Sequence, residues 1–175
     1  AAIRAIVFGE DVPGVIRMPK KNKRGQYTNW SKTALPWMSI GYETQIPPLQ
    51  TVTFYNAIAN GGKLVRPRLV KAIMRDGEVV QEFPVQVVKE QIAKPQTIEW
   101  IQRILREVVS EGLGKKAGSD KFEVAGKTGT AQMSKGALGY KAGGTKYLLS
   151  FAGYFPADNP RYSCIVCIQK EGLPA

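Results

Sequence analysis

The chain is 175 residues long, 43% hydrophobic and 22% charged, with a formal net charge of +11 and no histidine. That composition suits one domain with a buried core and excludes disorder and a coiled coil. No apolar run approaches the roughly 18 residues of a membrane span, and no basic-then-apolar leader opens the chain, so any membrane anchor is expected outside these residues.

The lack of histidine removes imidazole triads, imidazole general bases and most zinc sites, leaving Lys, Tyr and carboxylates for acid–base work. A surplus of positive charge favours acidic partners, and nucleic acid is weighed first. The densest basic run, Arg17 to Arg24, sits among Pro, Asn and Gly without a helical period. No zinc-finger or RNA-recognition signature accompanies it. It reads as a solvated loop, and such a surface suits anionic lipid or an anionic wall polymer equally well.

From the N-terminus, residues 1 to about 40 are the least regular and read as a helix remnant followed by a long loop. From Pro47 and Pro48 to Asn60-Gly61-Gly62, proline at the first turn, a broad apolar surface and terminal glycines predict a buried helix. Leu69–Arg75 and Glu78–Phe83 flank Asp76-Gly77, a strong hairpin signal. A second helix is predicted from Thr97, as N-cap, to about Glu111. Ile98, Ile101, Ile104, Leu105, Val108 and Val109 recur there at helical spacing, and Gly112 ends it.

Three strands follow, at about 122–133, 147–155 and 161–169. Pro156 to Pro160 is a compact turn that makes the last two antiparallel neighbours. The Gly- and Lys-rich segment 134–146 reads as a mobile loop. The only cysteines, Cys164 and Cys167, have C-x-x-C spacing, but a strand puts residues three apart on opposite faces, so two structural thiols fit better than a redox pair.

The first of these strands carries Lys127-Thr128-Gly129-Thr130. Lys-[Ser/Thr]-Gly arises by chance in roughly one chain in ten of this length, so context must carry it. A phosphate-binding loop ending in Gly126-Lys127-Thr128 is ruled out, because Lys121 stands where its first glycine is needed and no helix follows. The motif is one of three shared by penicillin-binding proteins and serine β-lactamases, the others being Ser-x-x-Lys and Ser-x-Asn. None of the seven serines (31, 39, 110, 119, 134, 150, 163) begins either.

The resemblance extends further. Ser39-Ile-Gly-Tyr, Pro48-Leu-Gln, Tyr55-Asn-Ala-Ile-Ala-Asn-Gly-Gly, Arg66-Pro-Arg-Leu-Val, Ala125-Gly-Lys-Thr-Gly-Thr-Ala-Gln and Ser150-Phe-Ala-Gly-Tyr-Phe-Pro recur in that order in class B penicillin-binding proteins. From about Phe8 to the C-terminus the chain resembles their transpeptidase domain. The Ser-Ile-Gly-Tyr segment and the Asn-Gly-Gly helix exit are most similar to the division-specific branch, with a Bacteroidetes-like texture. Where the family often has Thr-Pro-Leu-Gln, this chain has Pro47-Pro48-Leu49-Gln50, and Thr44 is the candidate to replace the missing cap.

The resemblance implies an α+β fold: a partial penicillin-binding transpeptidase, serine β-lactamase-like, with an antiparallel sheet and helices, incomplete at both ends. Residues 1–175 would be the C-terminal part of one transpeptidase domain, with the nucleophile helix and Ser-x-Asn loop upstream and a C-terminal helix missing. The implied reaction is acyl transfer from a D-Ala-D-Ala peptide to a neighbouring stem peptide, with β-lactams as mimics of the first substrate.

Lys127 and Thr130 are the implied catalytic residues. Thr128, Gly129 and Thr130 are the implied substrate-binding ones: the hydroxyls bind the terminal carboxylate, Gly129 lets substrate lie against the strand, and the Thr130 N–H serves the oxyanion hole. No cofactor or metal is implied. Expected partners are peptidoglycan stem peptides, β-lactams and, through a longer parent protein, divisome membrane proteins, with no nucleic acid. The expected location is the periplasmic face of the inner membrane, through an anchor absent from this chain.

These residues alone are expected to be inactive and to expose an apolar sheet face, and so either to be marginally stable or to associate with a second chain. Alternatives are a related D,D-carboxypeptidase or β-lactamase, and a non-catalytic wall-binding module.

Overall fold

A computed structural model describes residues 14–133 and 145–172. The expected N-terminal helix remnant and most of the expected loop 134–146 lie outside the described residues. The chain divides into two compact units, residues 1–48 and 49–175.

In the first unit, β1 (Val15–Ile16) pairs antiparallel with β2 (Thr44–Gln45), and Arg17 forms an ion pair with Glu43 at 2.7 Å. The basic run is exposed, as expected of a solvated loop, yet it is ordered by two asparagines. Asn22 Oδ1 accepts the N–H groups of Arg24 and Gln26, while Asn29 bonds the Lys20 N–H and the Met18 carbonyl. The expectation of a continuous loop to residue 40 fails at α1 (Ala34–Ser39). Pro36 hides this helix in the sequence, but it stands in the first turn, where no intrahelical N–H is required. Thr44 does not sit at a helix start: it pairs with Ile16, and its hydroxyl donates to the Gly41 carbonyl.

The second unit begins at Leu49, the second residue of α2 (Pro48–Ala59). Its end is a Schellman motif: the Gly61 N–H reaches the Ile58 carbonyl, the Gly62 N–H reaches Ala57 at 2.7 Å, and Gly61 takes φ +66°. The helix is less buried than its composition suggests. Ala57 and Ile58 are in the core, whereas Phe54 is 52% exposed.

After α2, β3 (Leu64–Val65) pairs with β6 (Val87–Lys89), and between them β4 (Ala72–Arg75) and β5 (Glu78–Glu82) form the expected hairpin. Asp76 and Gly77 have φ of +53° and +85°, the double positive φ of the tight two-residue turn whose twist matches paired strands.

The helix α3 (Pro95–Ser110) starts two residues before the expected cap. Thr97 lies inside the first turn; Lys94 is the N-cap, and Pro95 opens the helix because its missing N–H has no partner to lose there. Ile98, Leu105 and Val109 are buried, while Ile104 is 53% exposed, so the inward stripe is narrower than the apolar pattern.

The strands β7 (Ala125–Met133), β8 (Lys146–Phe155) and β9 (Tyr162–Glu171) form one antiparallel sheet in the order β7-β8-β9. Its registers run unbroken from Ala125↔Tyr154 to Met133↔Lys146 and from Phe155↔Tyr162 to Lys146↔Glu171. The face carrying Ala125 and Tyr154 packs on Ile58 of α2 and Leu105 of α3. The Gln102 amide of α3 donates to the Ile58 carbonyl at 2.7 Å, and the Asn56 amide of α2 donates to the Ser163 hydroxyl at 3.1 Å, so both helices are tied in by polar as well as apolar contacts.

Candidate active site

Among the described residues β7 pairs along one side only, with β8, and its other edge is open. A strand alternates its side chains between faces, so Lys127 and Gly129 share the helix-packed face, while Thr128 and Thr130 share the opposite face with their partners Phe151 and Leu149.

The long Lys127 side chain overcomes this separation. Its ammonium lies 2.8 Å from the Thr128 carbonyl oxygen and 3.2 Å from the Thr128 hydroxyl. An ammonium reaches a strand carbonyl where that carbonyl faces off the ladder. The two-residue period then puts the backbone polar groups of Thr130 on the same open edge. Lys127 and Thr130 are both exposed, and among the described residues Lys127 meets no carboxylate.

Here, then, one uncompensated positive charge, the Thr128 hydroxyl and an outward N–H lie along one strand edge, with the Thr130 hydroxyl on the adjoining face. That set can hold a carboxylate and stabilise a developing oxyanion. All four residues named from the sequence are brought together on β7.

Two residues of β8, Phe151 and Ser150, were not legible as neighbours of this strand. Gly126 stands directly opposite Gly153, and the ring of Phe151 lies over the pair: a Cβ on Gly126 would meet Phe151 Cζ at 2.5 Å and the Ala152 carbonyl oxygen at 2.6 Å. Gly129 faces Ser150, whose Oγ stands 2.5 Å from where a Cβ would be. The signal for Phe151 and Ser150 was the register of two strands, which the sequence alone does not state.

Cys164 and Cys167 are free thiols on opposite faces of β9, as the strand pattern requires. Burial pushes the Cys164 thiol up from its ordinary range.

Residues 4–174 match the model of the penicillin-binding protein transpeptidase domain. The chain belongs to that family. Its relatives place it in the class B branch. It is 35% identical over 141 residues to penicillin-binding protein PbpB of Mycobacterium tuberculosis, covering 76% of this chain and 20% of that protein. Against the peptidoglycan D,D-transpeptidase MrdA of Haemophilus influenzae it is 34% identical over 143 residues, covering 75% of the chain and 22% of the relative.

The solved structure of penicillin-binding protein 3 from Mycobacterium tuberculosis superposes with a TM-score of 0.67 at 34% identity, over 82% of this chain and 33% of that one. This transpeptidase-family chain therefore has the partial α+β fold expected of it, and it spans about a fifth of the length of the curated relatives it matches.

Proposed function

We propose that this chain supplies the Lys127-Thr128-Gly129-Thr130 strand of a serine D,D-transpeptidase that cross-links septal peptidoglycan. The observation that carries the reading is the placement of the Lys127 ammonium beside the Thr128 hydroxyl on the open edge of β7. In this reaction a serine oxygen attacks the carbonyl carbon between the two terminal D-Ala residues. The C–N bond breaks, the leaving D-Ala takes the proton, and an amine of a second stem peptide then displaces the serine.

In this reading Lys127 and the hydroxyls of Thr128 and Thr130 hold the terminal carboxylate, which orients the scissile carbonyl toward the Thr130 N–H. Gly129 leaves the strand edge free of side chain, so the peptide lies along it. β-Lactams bind the same groups through their own carboxylate and stop at the acyl-enzyme.

The nucleophile is assigned to residues outside this chain, because none of its seven serines begins Ser-x-x-Lys. One oxyanion donor without its partner and without a nucleophile does not turn substrate over, so these 175 residues alone are inactive. The septal role rests on the Ser39-Ile-Gly-Tyr42 segment and the Asn60-Gly61-Gly62 exit. With it go stem peptides as substrate, divisome membrane proteins as partners of the longer protein, and a periplasmic location at the inner membrane through an anchor outside this chain.

Intact-mass measurement after incubation with a β-lactam tests the reading, on this chain and on a longer protein that contains it. A stable one-to-one adduct on the longer protein alone supports it. An adduct on the short chain would make one of its own serines the nucleophile. Rapid turnover by the longer protein would make it a β-lactamase or carboxypeptidase.

A further inference from the structure

At the β9 side of the sheet, α2 and the residues following β3 enclose a cleft of about 380 Å³, within the range of about 300–1,000 Å³ for ligand sites. One stripe of α2, with Leu49 and Val52, forms its apolar floor together with Val65. The hydrogen-bonded Asn56 and Ser163 belong to its lining, the bond using one N–H of the Asn56 amide and leaving its oxygen as an acceptor.

Arg66 and Arg68 line the same cleft, both exposed. Arg68 is steadied by a hydrogen bond from its guanidinium to the Phe83 carbonyl. Among the described residues neither guanidinium meets a carboxylate.

We propose that this cleft is a docking site for an extended acidic peptide, one that carries a carboxylate beside an aliphatic side chain. Each guanidinium presents the planar fork that a carboxylate matches with two parallel hydrogen bonds, and both arginines line the cleft. The floor takes the aliphatic neighbour, and the Asn56 oxygen accepts a peptide N–H. A net charge of +11 raises the encounter rate with an acidic partner and disfavours a second, like-charged copy at this arginine-lined cleft, so here the charge favours a foreign acidic segment. The site is separate from the Lys127 edge: Ser163 lies on β9, and β8 stands between it and β7.

Fluorescence anisotropy with a labelled Leu-Glu-Leu-Glu peptide tests the proposal, with Leu-Gln-Leu-Gln as the neutral control. The expected result is saturable binding of the acidic peptide that weakens about tenfold or more on Arg66→Gln with Arg68→Gln. Asn56→Asp is expected to weaken it similarly, since it keeps a hydrogen bond to Ser163 but puts a negative charge, like that of the peptide, in the lining. Lys20→Gln with Lys23→Gln, in the basic loop, is expected to leave binding unchanged.

The arginines are exposed, so their replacement leaves the fold intact, and melting curves of all the variants, Asn56→Asp included, check this. The proposal is overturned if the neutral peptide binds equally, if binding does not saturate, or if the basic-loop variant loses as much as the arginine variant. It is equally overturned if the peptide binds this chain but not a longer protein containing it, which would make the cleft a seat for the protein's own residues.

Discussion

The ring of Phe151 occupies the space that a side chain at Gly126 would need, with its Cζ 2.5 Å from the position of the absent Cβ. Phe151 is also the direct cross-strand partner of Thr128, so the packing that forbids a side chain at Gly126 sits next to the site strand. Gly126→Ala would also press on the Ala152 carbonyl, which is backbone and cannot rotate away. It is expected to destabilise the chain by about 1–3 kcal/mol in urea unfolding. Gly129→Ala meets only Ser150 Oγ and its Cβ, so its cost should be smaller and largely relieved by adding Ser150→Ala. Equal cost for the two glycines would refute this account.

Lys127→Ala separates chemistry from stability. The residue is exposed and its partners belong to its own neighbour, so melting should change by no more than about 0.5 kcal/mol. Acylation of the longer protein by a fluorescent penicillin should fall by about a hundredfold, on the scale of losing one electrostatic contact to a reacting group. Normal acylation by the alanine variant would remove Lys127 from the site.

Tyr154 is fully buried, and among the described residues its hydroxyl has no hydrogen-bond partner. Tyr154→Phe is therefore expected to be neutral or to stabilise by up to about 1 kcal/mol, because an unsatisfied buried group is removed without loss of a bond. Burial pushes the Tyr154 pKa up from 10.0 to about 12. Between these values the folded chain keeps a proton that the unfolded chain has released. The contribution of Tyr154 to stability is therefore full below pH 10 and declines as pH rises toward 12. Urea titrations from pH 9 upward should show that decline, and Tyr154→Phe should reduce it, leaving the part that Tyr55 and Cys164, also raised by burial, contribute.

Arg106 of α3 and Glu123, just before β7, form an ion pair between half-exposed side chains. Arg106→Gln should cost at most about 1 kcal/mol at low salt and less as salt rises. A large, salt-independent loss in thermal melts would mean that the pair fixes the approach of α3 to the sheet.

Val166 and Ile168 are 52% and 55% exposed on the sheet face turned away from the helices. Self-association through this face predicts a concentration-dependent sedimentation coefficient. Val166→Lys with Ile168→Lys should abolish that dependence, and a wild-type chain that sediments as a monomer at all concentrations would defeat the expectation.

Local chemistry explains what could be read in advance. Asp76-Gly77 and Gly61-Gly62 were legible because a turn needing positive φ selects those residues by itself. The three long strands were legible by their apolar and β-branched texture. The start of α3 was misplaced because Thr97 and Pro95 both signal a helix entrance and only the finished helix chooses between them. The exposure of Ile104 and Phe54 was hidden for a related reason: apolar periodicity marks a broad surface, and the packing of partners decides which part of it faces inward.

By itself the sequence determined the order of elements, the charge, the absence of histidine and of a Ser-x-x-Lys serine, and the Lys127 to Thr130 motif as a strand. The tertiary structure decided that this strand lies at an edge, that Lys127 reaches the Thr128 hydroxyl, that Phe151 covers Gly126 and Gly153, and that Asn56 meets Ser163. The difference is physical. Composition and turn chemistry act between neighbours along the chain, whereas strand register and the seating of helices are set by pairings between distant residues, where a shift of one position would turn every side chain to the other face.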